Sequence, residues 1–370
     1  AEMKNCDRDH LAEHLLVVMP SWVGDTVMAT PTLRSLRQQH PRARITALVR
    51  NTVRSILDPC PWLDRVITIR PRRKGRTGSG RRGMFGLSRR LAAGNFDTAV
   101  LLPNSFRSAL LVRMAGIARR VGYDRDGRGF LLTDRLLPRR QGRAFVPVPT
   151  HDYYLGLARY LGATDPDPTM QLFTRPEQDA KALAILGPTV LGDRPLILIT
   201  PGATYGDAKL WHADRFAQVA DRCVRQLGAV VAVSGAPKER RIIQAVIDAA
   251  CEPIVDLTRH GIDPSLLKSV VALSRLLITN DTGPRHIAAA MGVPVITIFG
   301  PTDPAWTQIG FSDERQLQAR VECGPCQLKK CPLDHRCMDL IEADSVFEAA
   351  AQLLGHVGKP GVAAMGATEP

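Results

Sequence analysis

The feature that most limits what this chain can fold into is a rhythm. Short apolar runs alternate with amphipathic, helix-like stretches, and the whole alternation occurs twice. In the first half, residues 15–19 read as a strand and 26–39 as the helix after it, with further strands at 45–49, 66–69 and 99–102. A helix pattern over 104–115 carries a serine at its start and stops at Gly116. The second half restarts with strands at 196–200, 229–234, 276–279 and 295–299, and helices at 212–227, 238–250 and 283–291. Alternation of this kind specifies α/β architecture with parallel sheets. At 370 residues the chain has room for two such domains, each with its own core. A Pro- and Asp-rich stretch at 164–194, holding one helix at 176–186, separates them. The expected division is 1–175 and 190–356, followed by a Gly/Ala/Pro-rich tail at 357–370 that reads as disordered.

Composition narrows the setting. A hydrophobic content of 45% and a charged content of 23% suit a soluble protein. Apolar runs are strand-sized, well short of the roughly 20 residues of a membrane span. Residues 1–10 are polar and of mixed charge, unlike a signal peptide, so the expected compartment is the cytoplasm. The net charge of +13 favours anionic partners. Part of it is concentrated in Arg70, Arg72, Arg73, Lys74, Arg76, Arg81, Arg82, Arg89 and Arg90, with no acidic residue among them. Glycines and serines make the first part of this stretch read as a mobile loop. It is either a solvated surface or a contact for an anionic acceptor at a membrane.

Ligands of open α/β sheets bind at the carboxyl ends of the strands, so the loops there are where chemistry is sought. Pro20-Ser21-Trp22-Val23-Gly24-Asp25 follows the first strand. Asp25 is either a helix cap or first-turn acid, or a base able to take a proton from an attacking hydroxyl. In the second half, Pro201-Gly202-Ala203-Thr204 leads to Lys209 and Trp211. Lys209 is either a surface lysine or a counter-charge for a phosphate. Gly235 follows the next strand, and Glu239 beyond it can accept from ribose hydroxyls or serve as a first-turn acid. Most specific is Asn280-Asp281-Thr282-Gly283-Pro284-Arg285-His286, where Thr282 and Gly283 can offer backbone N–H groups to a diphosphate. Asp281 is expected to grip sugar hydroxyls there. His286 reads equally as packing or as part of the site, and Arg285 has no assigned role. Gly300-Pro301-Thr302-Asp303-Pro304 is expected to close the same pocket.

Taken in order, these segments resemble glycosyltransferase family 9, the ADP-heptose:lipopolysaccharide heptosyltransferases, and especially their heptosyltransferase II branch. Leu102-Pro103-Asn104-Ser105-Phe106-Arg107-Ser108-Ala109 and Phe299-Gly300-Pro301-Thr302 complete the set, which covers about residues 15–354. The resemblance implies a GT-B fold, two Rossmann-like domains facing across a cleft, and inverting transfer of heptose from ADP-L-glycero-β-D-manno-heptose. It makes Asp25 the general base and Lys209 the residue that neutralises the departing diphosphate, with Thr282 and Gly283 holding it. It sets Gly202, Ala203, Thr204, Gly235, Glu239, Asp281 and His286 around the nucleotide sugar. Asn104, Ser105 and Arg107 are implied to touch the acceptor, an anionic lipid A-core at the inner membrane surface. No metal cofactor is implied for catalysis, because Lys209 and helix N–H groups can supply the charge stabilisation.

Cys323, Cys326, Cys331 and Cys337 place half of the eight cysteines within 15 residues, with His335 among them. A reducing compartment disfavours disulfides, leaving a structural metal (zinc, or an iron–sulfur cluster), packed thiols or a redox role. Cys6, Cys60, Cys223 and Cys251 read as ordinary core or surface residues. Three alternatives stand beside the lead reading. One is a family member using another nucleotide sugar or glycan. A second is a zinc-containing nucleic-acid-binding protein, disfavoured because only Phe85 interleaves the basic stretch. The third is a dinucleotide oxidoreductase, disfavoured because neither first strand is followed by Gly-X-Gly-X-X-Gly.

Overall fold

The computed structural model describes residues 12–69, 80–187 and 192–356. It divides into two units, residues 1–178 with 304–310, and residues 179–303 with 311–370. The expected first domain, 1–175, did not include the short return at Pro304–Gly310. The expectations for residues 1–10, for Cys6, for the basic stretch 70–79 and for the tail 357–370 fall outside the described residues.

Six strands build the sheet of the first unit: β1 His14–Val18, β2 Arg44–Arg50, β3 Arg65–Ile69, β4 Thr98–Leu101, β5 Arg119–Tyr123 and β6 Asp134–Leu136. A short antiparallel hairpin, β7 Arg140–Gln141 and β8 Ala144–Phe145, stands apart from it. The second unit has β9 Leu196–Thr200, β10 Val230–Val233, β11 Ile254–Asp256, β12 Leu276–Asn280, β13 Val295–Phe299 and β14 Glu314–Gln318. The two sheets have matching orders, β3-β2-β1-β4-β5-β6 and β11-β10-β9-β12-β13-β14, and all their pairings are parallel. This is the Rossmann order, and it is what sequential right-handed crossovers produce when the chain winds both ways from a first central strand.

Helices α1 Val23–Met28, α2 Thr30–Gln39, α3 Gly80–Ala92, α4 Phe106–Met114 and α5 Thr150–Tyr160 belong to the first unit, and α6 Pro176–Leu186 contains the boundary. The second unit carries α7 Ala213–Leu227, α8 Arg240–Ala249, α9 Pro264–Ala272, α10 Gly283–Ala290, α11 Arg336–Asp339 and α12 Ala343–His356. Alternate residues of β1 feed two cores. Leu15 and Val17 pack with Leu33, Leu36 and Leu157, whereas Leu16 and Val18 pack with Leu91, Ala109 and Val112. In the second unit Ile197, Ile199, Ile278 and Ile298 share a core with Phe216 and Val219 of α7 and Phe347 and Leu353 of α12. Each such side chain contributes about 1.5–3 kcal/mol when fully buried. Among the described residues, no helix is long and apolar enough to cross a membrane.

Three expected elements differ. The helix expected at 26–39 is two helices that meet at Ala29. Pro31 lies in the first turn of the second, where its missing N–H is tolerated and where it would have broken a continuous ladder. The basic stretch expected as loop is helical from Gly80, as α3, with Arg89 and Arg90 exposed in its last turn. The segment expected as a helix over 238–250 opens as a 3₁₀ turn, Pro237–Glu239, before α8.

The shared topology fixes where sites can form. β1 lies between β2 and β4, so the connections leaving β1 and β4 run to opposite sides of the sheet and leave a crevice between them. Val18 pairs with Leu101, so the loops after these strands begin side by side. In the second unit Thr200 pairs with Thr279, which places the loops after β9 and β12 in the equivalent position.

Candidate active site

At the first switch point a cavity of about 340 Å³ is lined by Trp22 and Asp25 after β1, Asn104 after β4, Arg125 and Arg139, and Tyr153 of α5. That volume suits a sugar-sized ligand. Asp25 lies in the first turn of α1; the cap position belongs to Trp22, which makes no side-chain cap bond. Beside it, the Tyr154 hydroxyl is pushed well above the usual range by burial, with the Asp25 carboxylate adding to the effect. Tyr154 therefore stays a neutral O–H group. Asn104 is held from two directions: its Oδ1 accepts from Tyr153 Oη at 3.1 Å and from Arg128 Nη2 at 3.3 Å. Both partners are donors, so the amide orientation is fixed and Nδ2 is the group left to donate to a ligand. Arg128 is itself fully buried and donates to the Tyr123 and Pro103 carbonyls. Arg125 lies 4.0 Å from the ring centre of Phe145, which also lines the cavity.

The other two residues of the implied acceptor motif lie at the start of α4. Ser105 caps α4, its side chain accepting from Ser108 N, and Arg107 is exposed and outside the cavity lining. Trp306 lines the cavity from the returning segment, tied by its carbonyl to Thr150 Oγ1 at 2.9 Å.

At the second switch point, Asn280 organises the loop after β9. Its Nδ2 donates to the Pro201 carbonyl at 2.8 Å and to Gly202 at 3.3 Å, while its Oδ1 accepts from Trp211 N at 3.3 Å. The Glu239 carboxylate lies across that loop. It accepts from Ala236 N at 2.8 Å and from Thr204 Oγ1 at 3.3 Å. A Cβ on Gly202 would fall 2.2 Å from the Glu239 carboxyl carbon, and one on Gly235 would fall 3.0 Å from its Oε2. Both glycines are therefore needed for this placement, and Ala203 sits half-buried between Gly202 and Thr204. Thr282 is the residue before α10 and makes no side-chain cap. The Gly283 N–H and those of the first turn thus receive nothing from that side chain, and Pro284 has none to offer. His286 is buried one turn on, near the Asp281 carboxylate.

Lys209 is not a surface lysine. Its Nζ donates to Asp281 Oδ2 at 2.6 Å and to the Asp281 carbonyl at 2.9 Å. Three donors belong to an ammonium, so one is left beyond these two bonds, with the Tyr205 ring centre 5.1 Å from Nζ. Asp281 is 4% exposed and also accepts from Thr302 Oγ1 at 2.9 Å and from Arg285 Nη1 at 3.3 Å. Burial opposes its ionisation, but Lys209 and Arg285 outweigh it and hold its carboxyl below the usual range. The expectation that Asp281 grips sugar hydroxyls thus meets a carboxylate that already accepts from Lys209, Thr302 and Arg285. Arg285, unassigned from sequence, continues the chain to Glu314, with bonds of 2.6 and 3.1 Å. Glu314 is likewise held low, burial again being overcome by Arg285. Lys209, Asp281, Arg285 and Glu314 form an alternating buried row whose charges cancel.

Of the four clustered cysteines, Cys323 and Cys326 are exposed, Cys331 is half-buried and Cys337 is buried, so packed thiols describe only the last. Outside the cluster, Cys60 is half-buried, Cys223 buried and Cys251 exposed.

Two Rossmann-order sheets in one chain, with a sugar-sized cavity at one switch point and a lysine beside an uncapped helix start at the other, define a nucleotide-sugar transferase of the GT-B class. The chain belongs to glycosyltransferase family 9 (heptosyltransferase), whose pattern matches residues 84–336. It is 29% identical over 325 residues to lipooligosaccharide heptosyltransferase 2 of Haemophilus influenzae, covering 84% of this chain and 89% of that one. It is 30% identical over 302 residues to lipopolysaccharide heptosyltransferase 2 of Salmonella typhimurium, covering 79% and 84%. The solved structure of Escherichia coli ADP-heptose lipopolysaccharide heptosyltransferase II matches with a TM-score of 0.76 at 25% identity, over 92% of this chain and 98% of that one. The nucleic-acid-binding and oxidoreductase readings are thereby set aside.

Proposed function

We propose that this enzyme transfers heptose from ADP-L-glycero-β-D-manno-heptose to a hydroxyl of the lipopolysaccharide inner core, with inversion at the anomeric carbon. The observation that carries the reading is the placement of complementary chemistry at the two switch points. A carboxylate opens on a cavity with two arginines and aromatic rings in one unit, and a lysine stands beside uncapped N–H groups in the other.

Asp25 takes the proton of the acceptor hydroxyl as its oxygen attacks the anomeric carbon. The bond from that carbon to the diphosphate oxygen breaks, and ADP leaves with the electron pair. Lys209, through its remaining donor, and the N–H groups at Thr282 and Gly283 stabilise the charge gathering on ADP. That supply of positive charge is why no catalytic metal is assigned. Gly202, Ala203 and Thr204 shape the nucleotide pocket, and Glu239 accepts from the ribose. Asn104 Nδ2 donates to the acceptor sugar, while Arg125 and Arg139 meet its anionic groups. An anionic lipid-linked acceptor also gives a use to the net charge of +13, and it places the enzyme on the cytoplasmic face of the membrane as a peripheral protein.

The test is calorimetric titration with ADP, UDP and GDP, together with product analysis by NMR. Selective ADP binding, weakened by Lys209→Ala and retained in Asp25→Asn, with an inverted heptoside as product, is the expected result. Preference for UDP or GDP would overturn the donor and leave the transfer chemistry standing.

A further inference from the structure

The stretch between β14 and α11 is irregular in backbone and largely exposed, yet it carries a mechanical task. Gln327 N donates to the Pro301 carbonyl at 2.8 Å, and the Gln327 carbonyl accepts from Tyr205 Oη at 2.7 Å. The Lys329 carbonyl accepts from Ala208 N at 3.1 Å, and His335 Nε2 lies 2.8 Å from the Ala208 carbonyl. Gly206 approaches Lys329 so closely that a Cβ would fall 2.3 Å from the Lys329 carbonyl oxygen. The stretch therefore grips residues 205–208 on both sides, immediately ahead of Lys209. It has little apolar material with which to hold its own shape, and an irregular segment of this kind ordinarily needs a covalent or metal staple.

Cys323, Cys326, Cys331 and Cys337 line a single cavity of about 20 Å³, which is room for one ion. All four are free thiols, and three of them are exposed or half-exposed instead of packed in a core. We propose that these four cysteines bind one divalent transition metal through their thiolates, zinc by preference, and that the metal fixes the loop that grips residues 205–208. Four soft, singly charged ligands suit tetrahedral zinc, and binding would draw each sulfur to about 2.3 Å from the ion. Arg336 and Asp334, also in the lining, are paired with each other at 2.8 Å.

No three of the four sulfurs yet lie within 4.8 Å of one another, so metal binding would draw them together. Among the described residues, the one group of three ligating atoms that close is His212, His335 and Asp339, of which His335 lines the same cavity. Its members already have protein partners, His212 Nε2 with Asp339 Oδ1 at 2.5 Å and His335 Nε2 with Ala208, so hydrogen bonding accounts for it.

The full chain, produced with zinc and iron both supplied and purified without chelator, is assayed for metal by mass spectrometry. About one equivalent of zinc per chain is expected, lost in Cys326→Ser and Cys331→Ser but retained in Cys251→Ser. Iron in the same stoichiometry, lost in the same variants, would sustain the thiolate site and overturn the preference for zinc. Should the serine variants fail to fold, cobalt exchanged into the wild-type protein is the second readout, expected to show sulfur-to-cobalt charge-transfer absorption. Removing the metal is expected to speed amide exchange at Ala208 and Lys209 many-fold, and restoring it to reverse the change. Less than about 0.1 equivalent of any metal, without cobalt absorption, overturns the site. A bound metal whose removal leaves exchange at residues 205–209 unchanged overturns the gripping role.

Discussion

A carboxylate that serves as a base must keep an oxygen turned toward its substrate, whereas one that serves as a strut must not. Asp25, proposed as the base, lines a cavity, whereas Asp281 is buried among Lys209, Thr302 and Arg285. Asp25→Asn keeps shape and removes basicity, so kcat is expected to fall by about 10²–10⁴ with ADP affinity and unfolding midpoint unchanged. Steady-state kinetics beside calorimetry checks this, and a fall in ADP affinity would place Asp25 with the donor instead. Asp281→Ala leaves Lys209 and Arg285 without the carboxylate they share, and removing one partner of a buried ion pair costs about 3–5 kcal/mol. Denaturant titration is expected to show that loss, with activity failing as a consequence. The difference was partly legible beforehand. Asp25 and Lys209 stood out because each follows a strand in a Gly-containing loop. That Asp281 points inward was not legible, because Lys209 and Thr302 reach it only after β9, β12 and β13 are laid side by side, although Arg285 is a local i,i+4 partner. Asn104 showed the same limit: its place in a motif was visible, but the donors that set its amide, Arg128 and Tyr153, come from elsewhere in the fold.

Elements of the second unit are joined by charge as well as by apolar packing. Arg285 of α10 ties β12 to the edge strand β14 through Asp281 and Glu314. Both carboxyls are held below their ordinary values in the folded protein. Their contribution to stability is therefore complete above the unfolded values, about 3.9 for Asp and 4.3 for Glu, and is lost as pH falls through the lower folded values. The urea midpoint is expected to stay level from about pH 7 to 5 on account of this pair and to drop below about pH 4. Glu314→Gln is expected to make that acid limb shallower, and an unchanged limb would remove Glu314 from the account. The loop ahead of Lys209 depends on a different fit. Gly206→Ala drives a methyl into the Lys329 backbone, so the loop must shift, and ADP affinity is expected to fall while the acceptor-side cavity of the first unit is unaffected. Strands were easy to read because β1, β9, β12 and β13 are continuous apolar runs buried on both faces. Helix α3 was hard to read because its glycines and arginines argue for a loop, and only the amphipathic placing of Leu87 and Leu91 among them argues otherwise.

For the whole molecule, the doubled rhythm was legible because each unit carries its own hydrophobic pattern and closes its own core. What could not be read was the return of Pro304–Gly310 to the first unit, which supplies Trp306 to a cavity otherwise built some 150–285 residues earlier in the chain. No local pattern marks such a crossing; the contacts of Thr150 with Trp306 and of His151 with the Gln308 backbone do. Two units with separate cores and separate ligand chemistry should respond separately to their ligands. Ligand bound to the native state stabilises it by RT ln(1 + [L]/Kd), about 2.7 kcal/mol at a hundredfold excess over Kd, and local exchange slows most where the contacts lie. ADP alone is therefore expected to protect amides at 201–209, 235–239 and 281–286, leaving 20–25 and 139–154 near their free rates. A core oligosaccharide acceptor alone is expected to do the reverse, with Asn104 and Tyr153 among the slowed amides. Hydrogen exchange read by mass spectrometry distinguishes the two patterns. Protection by ADP centred on 20–25 and 102–104 would assign the nucleotide to the first unit. Neither the base role proposed for Asp25 nor the phosphate role proposed for Lys209 would then stand.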